Sequence, residues 1–564
     1  MIKQLRKQSP TLLQLLGRGR VALVNRLRMR RAKLDYVTLT LPAEIPALPE
    51  ARGWLRQRLQ GPPPVSLWEL EGIFERIAAD PRPKGVILSL RGLRLSLADL
   101  QTLRGSILRL RERGKQVICH APYYDLAQYY LASAADQILL QPGGELMTIG
   151  LRQETVFLKD ALAAVGVALD VVAISPYKGA FDQLSRDTVS PEAREQMEWL
   201  LDSRYDMLIA DIAAGRGVPA DDVRRMIAGA PHIDATALAA GYVDGVVHEE
   251  GLYTHLKAKH IVPMKRADKQ LLIKPPKPTS ERYVALLRVS GLMISGESAK
   301  PPADLPIPFI GGERTGDLTL IQQIRVVMQD KNAAAVLLYV DSGGGAAIAA
   351  EAMTSALEEL AKSRPLVVYM NAIAASGGYY VATPARWIVA QPGTITGSIG
   401  VVTAKPITRG LRERLHVNTF TLTRGANASL YSDIAPFSDG QRAQVRASIE
   451  AAYRRFLDRV ARGREMTVEA VDSIGGGRVW TGAQAHAHGL VDELGDVRAA
   501  LKKARALANL PDYAPVTFVG GKGKNLPPQL AEINLPGASM RYLHASARAI
   551  ANGMAQVLLP LWWR

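Results

Sequence analysis

Two kinds of apolar pattern alternate along the chain. Short runs rich in β-branched residues, such as 335–340 and 366–370, have the composition of buried strands. Between them lie stretches such as 350–362, in which apolar residues recur at helical spacing. Strands that alternate with helices are typical of parallel sheets with crossover helices. The pattern therefore predicts an α/β fold.

The same pattern occurs twice. At a constant offset of 250 residues, segment 129–150 falls on segment 379–400, and both contain Tyr-Tyr, Gln-Pro-Gly and Ile-Gly at matching positions. Weaker matches continue on both sides at offsets of 247 and 248. We therefore predict a tandem duplication with two homologous domains, 34–260 and 281–512. A proline-rich linker, 261–280, joins them, and 1–33 and 513–564 form an N-terminal arm and a C-terminal tail.

Composition agrees with two packed domains. The chain has 564 residues, of which 48% are apolar and 22% charged, which is enough for two hydrophobic cores. The single cysteine, Cys119, lies in an apolar run and excludes an intramolecular disulfide. We expect it to be a buried core residue.

The net charge of +17 is concentrated at one end. Residues 1–33 contain ten Lys or Arg and no acidic residue. Within this arm Leu13, Leu16, Leu23, Val24 and Leu27 recur at roughly helical spacing, which predicts a basic amphipathic helix on a membrane surface. An ordinary surface helix is the alternative. Nucleic acid is the less favoured reading of the charge, and we predict no nucleic-acid partner.

Attachment to the membrane is predicted to be peripheral. The sequence has no stretch of about 18 uncharged apolar residues, as a transmembrane helix requires, and the arm lacks the apolar core of a secretory signal. At the C-terminus Trp562 and Trp563 precede Arg564, a pattern typical of interfacial anchors, although such a tail can also dock on its own protein or on a neighbouring subunit. The side of the membrane is left open.

A candidate nucleophile follows the strand at 366–370. Ser376 is flanked by small residues at a predicted helix start, where the Gly377 N–H and the helix dipole favour an anion. The glycine turn 343–345, after the preceding strand, can form half of an oxyanion hole. A helix cap and a tight turn are the structural alternatives for these two features.

A serine nucleophile needs a base, and histidine is a poor candidate in this chain. None of the nine histidines lies between Gly377 and Leu415, and His416 follows a basic, apparently exposed helix. A metal site at His486 and His488 is a weak alternative.

Lysine is the better candidate. Lys178 lies in a turn after the apolar run 168–174, and desolvation with nearby positive charge can lower the pKa of a lysine toward neutrality. At the offset of 250, Leu126 replaces Ser376 in the first copy. Arg424, which cannot lose its proton, lies near the counterpart of Lys178 in the second. A site composed of Ser376 from one copy and Lys178 from the other follows, with a solvated loop lysine as the alternative.

Three motifs carry a family resemblance: Tyr177-Lys178, Ala-Ala-Ser-Gly-Gly-Tyr at 374–379 and Thr-Gly-Ser-Ile-Gly at 396–400. With them the chain resembles the long, duplicated form of the signal peptide peptidase A (protease IV) family. The resemblance implies a ClpP/crotonase-like fold in each repeat and a Ser/Lys dyad. It further implies that Ser376 attacks the peptide carbonyl, Lys178 takes its proton and Ser398 orients Lys178. The N–H groups of Gly344 and Gly377 would hold the oxyanion, and no metal or organic cofactor would be needed.

The resemblance also implies a homotetrameric ring that degrades hydrophobic peptides, such as cleaved signal peptides, at a membrane. The sequence departs from the family at 341–346, where Asp-Ser-Gly-Gly-Gly-Ala replaces Asn-Ser-Pro-Gly-Gly-Ser. Two other functions fit the fold. One is a crotonase-like acyl-CoA enzyme, which would not need the Ser376/Lys178 pair, and the other is a catalytically inactive scaffold on a membrane surface.

Overall fold

The computed structural model describes residues 12–31, 33–50, 57–58, 61–274, 280–299 and 312–520. The first eleven residues of the predicted N-terminal arm, residues 275–279 of the predicted linker and most of the predicted C-terminal tail lie outside the described residues.

The elements of the first half were expected to alternate between strand and helix, and they do so except where three helices follow β5. In chain order they are α1 (Leu12–Arg31), β1 (Tyr36–Leu41), α2 (Leu67–Ala79), β2 (Gly85–Leu90), α3 (Leu97–Glu112), β3 (Gln116–Asp125), α4 (Leu126–Ala132), β4 (Gln137–Met147), α5 (Lys159–Ala164), β5 (Ala168–Ala173), α6 (Asp182–Ser185), α7 (Pro191–Arg216), α8 (Ala220–Ala228), β6 (His232–Ile233), α9 (Asp234–Ala239), β7 (Gly245–Val246), α10 (Leu252–His255), β8 (Ile261–Pro263) and α11 (Met264–Ala267).

The second half repeats the alternation. Its elements are β9 (Tyr283–Ile294), β10 (Arg314–Gly316), α12 (Asp317–Gln329), β11 (Ala333–Gly345), α13 (Ala347–Ser363), β12 (Leu366–Ala375), α14 (Gly377–Tyr380), β13 (Trp387–Ala390), β14 (Ile395–Gly397), β15 (Val402–Ile407), α15 (Arg409–Arg414), α16 (Asp439–Arg464), α17 (Val468–Ile474), β16 (Val479–Thr481), α18 (Gly482–Ala487), β17 (Glu493–Leu494), α19 (Val497–Leu507) and β18 (Val516–Phe518).

Two mainly parallel sheets confirm the α/β prediction, and strands β1-β2-β3-β4 of the first correspond in order to β9-β11-β12-β13 of the second. In the first sheet the described strands run β6-β4-β3-β2-β1-β8, and in the second β10-β9-β11-β12-β13-β17. The neighbouring pairs are parallel except for β4 with β6. Strands β3 and β12 begin and end 250 residues apart, as the duplication requires. The sheets are buried because their strands are nearly all apolar, as parallel strands covered on both faces must be.

Local signals in the sequence fix where the long helices begin. The Ser438 hydroxyl accepts the Gln441 N–H while the Gln441 side chain accepts the Ser438 N–H, so a capping box starts α16. The Ser190 hydroxyl likewise accepts the Ala193 N–H at the start of α7, where Pro191 occupies the first helical position. Ser-x-x-Gln at 438–441 and Ser-Pro at 190–191 are sequence signatures of a helix start, so both starts are encoded locally.

The chain divides into two compact units. One contains residues 1–152 and 203–279, and the other contains 153–202 and 280–564. Segment 153–202, which the sequence repeat places in the first copy, thus packs with most of the second copy. The domain boundaries read from the repeat remain a prediction about homology and differ from these compact units.

The described part of the N-terminal arm is a helix, α1, despite Gly17 and Gly19. Its Asn25 side chain exchanges two hydrogen bonds of 2.9 Å with the Ile273 backbone, and Leu23 and Leu27 are 61% and 46% exposed. The side chains of Leu13 and Leu16 lie outside the description. Among the described helices, none is both long and apolar enough to cross a bilayer.

Candidate active site

Ser376 lies where the central strand β12 gives way to the short helix α14. Its N–H donates to the Gly397 carbonyl of the neighbouring strand β14 at 2.9 Å. Its backbone has φ 55°, a left-handed conformation that costs a non-glycine residue of order 1–3 kcal/mol. The side chain makes no capping hydrogen bond to α14. Ser376 is therefore not the simple helix cap considered as an alternative, and its hydroxyl points elsewhere.

Ser398 occupies the equivalent position at the end of the adjacent strand. It follows β14, has φ 51° and donates its N–H to the Arg478 carbonyl at 2.7 Å. Because β12 and β14 pair in parallel, the two serines leave the sheet side by side at its carboxyl edge. Both serines have a positive φ at this edge of the sheet.

Lys178 reaches these two serines from segment 153–202. After β5 the chain turns, with the Lys178 N–H on the Ser175 carbonyl at 3.2 Å. The Lys178 Nζ lies 3.1 Å from Ser376 Oγ and 2.7 Å from both the carbonyl oxygen and the Oγ of Ser398. The structure thus brings together the three side chains that the sequence singled out from distant positions.

Burial changes the protonation of this lysine. Lys178 is only 6% exposed, and desolvation lowers its pKa from 10.5 to about 7. A free amine at neutral pH can accept a proton from a serine hydroxyl, whereas an ammonium cannot. The solvated loop lysine considered as an alternative does not fit this environment.

A glycine turn that sequence reasoning missed holds the lysine in place. Gly477 has φ 95°, and a Cβ there would lie 2.6 Å from Lys178 Cβ and 2.8 Å from its backbone nitrogen. The Ser175 hydroxyl also donates to the Gly476 carbonyl. The three consecutive glycines at 475–477 were the available signal in the sequence. Their contact with Lys178, about 300 residues earlier in the chain, could not be predicted from the sequence.

Aromatic side chains pack around the same turn. The Arg478 guanidinium lies 4.1 Å from the Tyr177 ring centre, and Tyr177 and Trp480 stack on Trp199 with ring centres 6.1 and 4.9 Å away. The Trp199 indole N–H donates to the Val479 carbonyl at 2.9 Å. These contacts tie segment 153–202 to strand β16.

Gly344 and Gly377, the predicted oxyanion donors, approach each other closely. A Cβ on Gly344 would lie 2.6 Å from the Gly377 nitrogen and 3.0 Å from Ser376 Cβ, so only glycine fits. The Gly344 backbone has φ 100°. Its N–H donates to Ser342 Oγ at 3.1 Å, and that hydroxyl donates to the Gly291 carbonyl at 2.6 Å. Holding an oxyanion through Gly344 therefore requires its N–H to leave Ser342.

A cavity of about 320 Å³ opens beside Lys178. Its wall contains apolar side chains from segment 153–202, together with Ser398, Gly477 and Val479 of the second repeat. The apolar members from this segment are Phe157, Ala180, Val189, Ala193 and Met197. Asp182 is the one acidic group on the wall, and burial raises its pKa. The wall suits an uncharged, apolar group more than an ionic one.

The remaining candidates from the sequence are three histidines and Cys119. His416 is exposed, the His486 Nδ1 pairs with the Val491 carbonyl at 3.0 Å, and His488 packs on the Trp480 ring with centres 4.4 Å apart. Within the described ranges, no cluster of three or more His, Cys, Asp or Glu is arranged to hold a metal ion. Cys119 is fully buried, as expected, and burial raises its thiol pKa to about 12.

A serine hydroxyl beside a deprotonatable lysine, on a duplicated α/β fold, belongs to a serine peptidase. Comparison with known proteins gives the same class. Peptidase family S49 matches the chain twice, over residues 109–262 and 358–511. The chain belongs to this family, and the duplication and the ClpP/crotonase-like fold expected from the sequence are confirmed.

Curated relatives share most of the chain. The chloroplastic serine protease SPPA of Arabidopsis thaliana is 32% identical over 81% of this chain and 68% of its own length. Proteins named Protease 4 from Haemophilus influenzae and Salmonella typhi are each 30% identical over 79% of the chain, covering 74% and 73% of their lengths. The predicted resemblance to signal peptide peptidase A is thereby confirmed, and with it the serine peptidase class.

Proposed function

We propose that the chain cleaves peptide bonds with a Ser376/Lys178 dyad. The observation that carries the proposal is the 3.1 Å separation of Lys178 Nζ and Ser376 Oγ at a buried site where the lysine pKa is about 7. Ser398, whose two oxygens accept from the same Nζ at 2.7 Å, orients the amine. A base within hydrogen-bond reach of the hydroxyl, and itself held by a third group, is the arrangement that nucleophilic catalysis requires.

The chemical steps follow from these positions. The free amine of Lys178 takes the proton from Ser376 Oγ while the oxygen bonds to the substrate carbonyl carbon. The N–H group of Gly377 stabilises the resulting oxyanion, together with that of Gly344 once it leaves Ser342 Oγ. Lys178 then delivers the proton to the leaving nitrogen, the C–N bond breaks and an acyl-serine remains. The same amine then takes a proton from water as the water oxygen bonds to the acyl carbon, and it returns this proton to Ser376 Oγ as the ester C–O bond breaks and the acid leaves.

The substrates we propose are hydrophobic peptides such as cleaved signal peptides. Support comes from the cavity of about 320 Å³ beside Lys178, whose wall includes the apolar side chains of Phe157, Val189 and Met197 among mostly uncharged polar ones. An apolar pocket favours a substrate side chain by roughly 25 cal/mol for each Å² that it buries. A peptide with a charged residue at the position that enters this cavity should be cleaved poorly.

We also propose a homotetramer that lies on a membrane surface. For the membrane, support comes from the basic N-terminal arm and from the exposed Leu23 and Leu27 of α1. Flotation with anionic and with neutral vesicles tests it, since a basic amphipathic helix should bind the anionic vesicles and lose them in high salt. Equal binding to both kinds of vesicle, or binding to neither, would contradict the proposed membrane association.

The decisive experiment compares hydrolysis of a fluorogenic peptide, with an apolar residue before the scissile bond, by the native chain and by Ser376→Ala and Lys178→Ala. Both variants should be folded by circular dichroism and inactive. Native-like turnover by Lys178→Ala would show that another group is the base, even if Ser376 remained the nucleophile.

A fluorophosphonate probe separates the competing functions. It should acylate Ser376 in the native chain but not in Ser376→Ala. A crotonase-like enzyme would process an acyl-CoA thioester and ignore the probe, and an inactive scaffold would react with neither.

A further inference from the structure

A second cavity, of about 680 Å³, lies in the compact unit that contains 1–152 and 203–279. Its wall is formed by the last turns of α1, by residues 260–262 at β8 and by the chain that follows α11. None of its described lining residues is acidic, and five are basic: Arg28, Arg30, Lys33, His260 and Lys269. A concave wall of one sign of charge favours an anionic ligand.

Hydrogen bonds hold α1 in place beside this cavity. The Asn25 side chain exchanges two of them with the Ile273 backbone, and the Arg28 guanidinium donates to the Leu271 carbonyl. The Arg82 guanidinium bridges the two walls, because it donates at 2.8 Å both to the Arg28 carbonyl and to the carbonyl that precedes Leu271. These bonds fix the walls of the cavity relative to each other.

Three of the cations on the wall are available to a ligand. Arg30, Lys33 and Lys269 are exposed, and no ion pair ties their side chains to a carboxylate of the described residues. Cations that converge without an acid between them repel one another. An anion placed between them would relieve this repulsion.

The acidic groups that lie nearby in the chain are engaged elsewhere. The Asp35 carboxylate accepts the backbone N–H groups of Lys259 and His260, both at 2.8 Å. Asp268 pairs with Arg76, whose Nη1 lies 2.5 Å from the carboxylate. Neither acid is part of the cavity wall.

We propose that this cavity binds the phosphate of an anionic phospholipid headgroup. A phosphate offers several acceptor oxygens, and the guanidinium of Arg30 matches two of them at once while Lys33 and Lys269 supply compact charges. The proposal rests on the membrane association proposed above, and it names the lipid group that the protein surface recognises.

Apolar side chains next to the cations favour a lipid over a soluble phosphate. Val24, Leu27 and Val262 belong to the cavity wall. On α1, Leu23, Leu27 and Arg30 follow one another at spacings of four and three residues, so they share one face of the helix. Both leucines are exposed. Acyl chains that pack beside the leucines would leave the phosphate at the level of Arg30.

Vesicle flotation with charge-matched lipids tests the site. Phosphatidylcholine vesicles receive their negative charge either from phosphatidic acid or from oleate and are adjusted to the same zeta potential. Non-specific attraction is then equal for the two surfaces, whereas the cavity recognises the phosphate. The native chain should reach half-maximal binding at about a fivefold lower lipid concentration with phosphatidic acid, the factor that one cation supplies at an anionic surface.

Two double variants that lose the same charge separate the cavity from the basic surface around it. The pocket variant is Arg30→Gln with Lys269→Gln, and the matched control is Arg26→Gln with Lys265→Gln. Arg26 on α1 and Lys265 on α11 are exposed but do not line the cavity. The pocket variant should bind both kinds of vesicle equally, and the control should keep the native preference. Arg28 is left intact because it holds α1 in place.

Two results would overturn the site while leaving the membrane association intact. One is equal binding of the native chain to the two kinds of vesicle, and the other is a preference that the pocket variant retains. Glycerol phosphate serves as the soluble competitor. At the concentration of the lipid phosphate it should not displace the vesicles, since it lacks acyl chains, and displacement would overturn a lipid as the occupant.

A short-chain lipid separates this inference from the proposed membrane association. Dihexanoyl phosphatidic acid, used below its micellar concentration, presents the same phosphate without a membrane. In isothermal titration calorimetry it should bind the native chain and the control variant but not the pocket variant. Binding of this lipid by a chain that ignores vesicles would refute the membrane association alone. No binding to the native chain, or equal binding to the pocket variant, would refute the phosphate site.

Discussion

The lowered pKa of Lys178 predicts how activity depends on pH. Only the free amine can accept the Ser376 proton, and burial lowers its pKa from 10.5 to about 7. Activity should therefore fall about tenfold for each pH unit below 7, to roughly a hundredth of its plateau at pH 5, and should level off above pH 8. A lysine at its usual pKa would instead give activity that rises up to pH 10.

The assay is kcat/KM for a neutral fluorogenic peptide between pH 5 and 9.5, with the fold followed by circular dichroism. Lys405→Met is the matched control. Lys405 is also buried, at 1% exposure, and desolvation lowers its pKa, but its Nζ donates to the Leu430 carbonyl at 3.1 Å and lies over the Phe437 ring. Its replacement should leave the midpoint near pH 7. A profile that keeps rising beyond pH 9, or is flat from 5 to 8, would refute the reasoning.

The same shift has a consequence for stability. The pKa of Lys178 is lower in the folded state than in the unfolded state, so the unfolded chain binds more protons between pH 7 and 10.5. The free energy of unfolding should therefore rise with pH across this window. At 1.36 kcal/mol per pKa unit the penalty is roughly 5 kcal/mol at and below pH 7, and it vanishes above pH 10.5. Lys178→Met should stabilise the fold more at pH 6 than at pH 9, and equal effects at both would contradict this account.

Three glycine and serine substitutions test the geometry. Gly477→Ala should lower kcat at least tenfold because its Cβ would meet the lysine turn at 2.6 Å, whereas Gly425→Ala, with φ 92° but nothing within 4 Å, should leave kcat unchanged. In thermal unfolding, the Ser376→Gly variant should be more stable than Ser376→Ala by about 1 kcal/mol, because glycine adopts φ 55° without the cost that alanine incurs. Equal melting temperatures of the two variants would show that the backbone at this position is not strained. Gly344→Ala should abolish turnover by intruding 2.6 Å from the Gly377 nitrogen, and native-like turnover would exclude Gly344 from the oxyanion site.

Much of this site could be predicted because it was encoded locally. Ser376 stands in a run of small residues after a buried strand, and the offset of 250 revealed that Leu126 replaces it in the first copy. The second copy in turn has no lysine near the counterpart of Lys178, which made Lys178 the candidate base. The α/β alternation and the helix starts at Ser190 and Ser438 followed from periodicity and capping, which depend on neighbouring residues only.

What could not be predicted depends on contacts between distant parts of the chain. Nothing near Gly477 in the sequence indicates that it packs against Lys178, and nothing near 153–202 indicates that this segment leaves its own repeat for the other compact unit. The Ser342 hydroxyl on the Gly344 N–H was likewise unforeseen. Such contacts are set by how the sheets and turns pack, which periodicity does not specify.

The position of segment 153–202 explains how the two residues of the proposed dyad can come from different repeats. A lysine becomes a base at neutral pH only if it loses its water, and the turn at Lys178 loses it by packing on Gly477 and beside Ser398. Packing of this segment with the second repeat therefore brings Lys178 beside Ser376, whereas Leu126 stands at the position of the serine in the first repeat. The counterpart segment around Ala428 has no lysine.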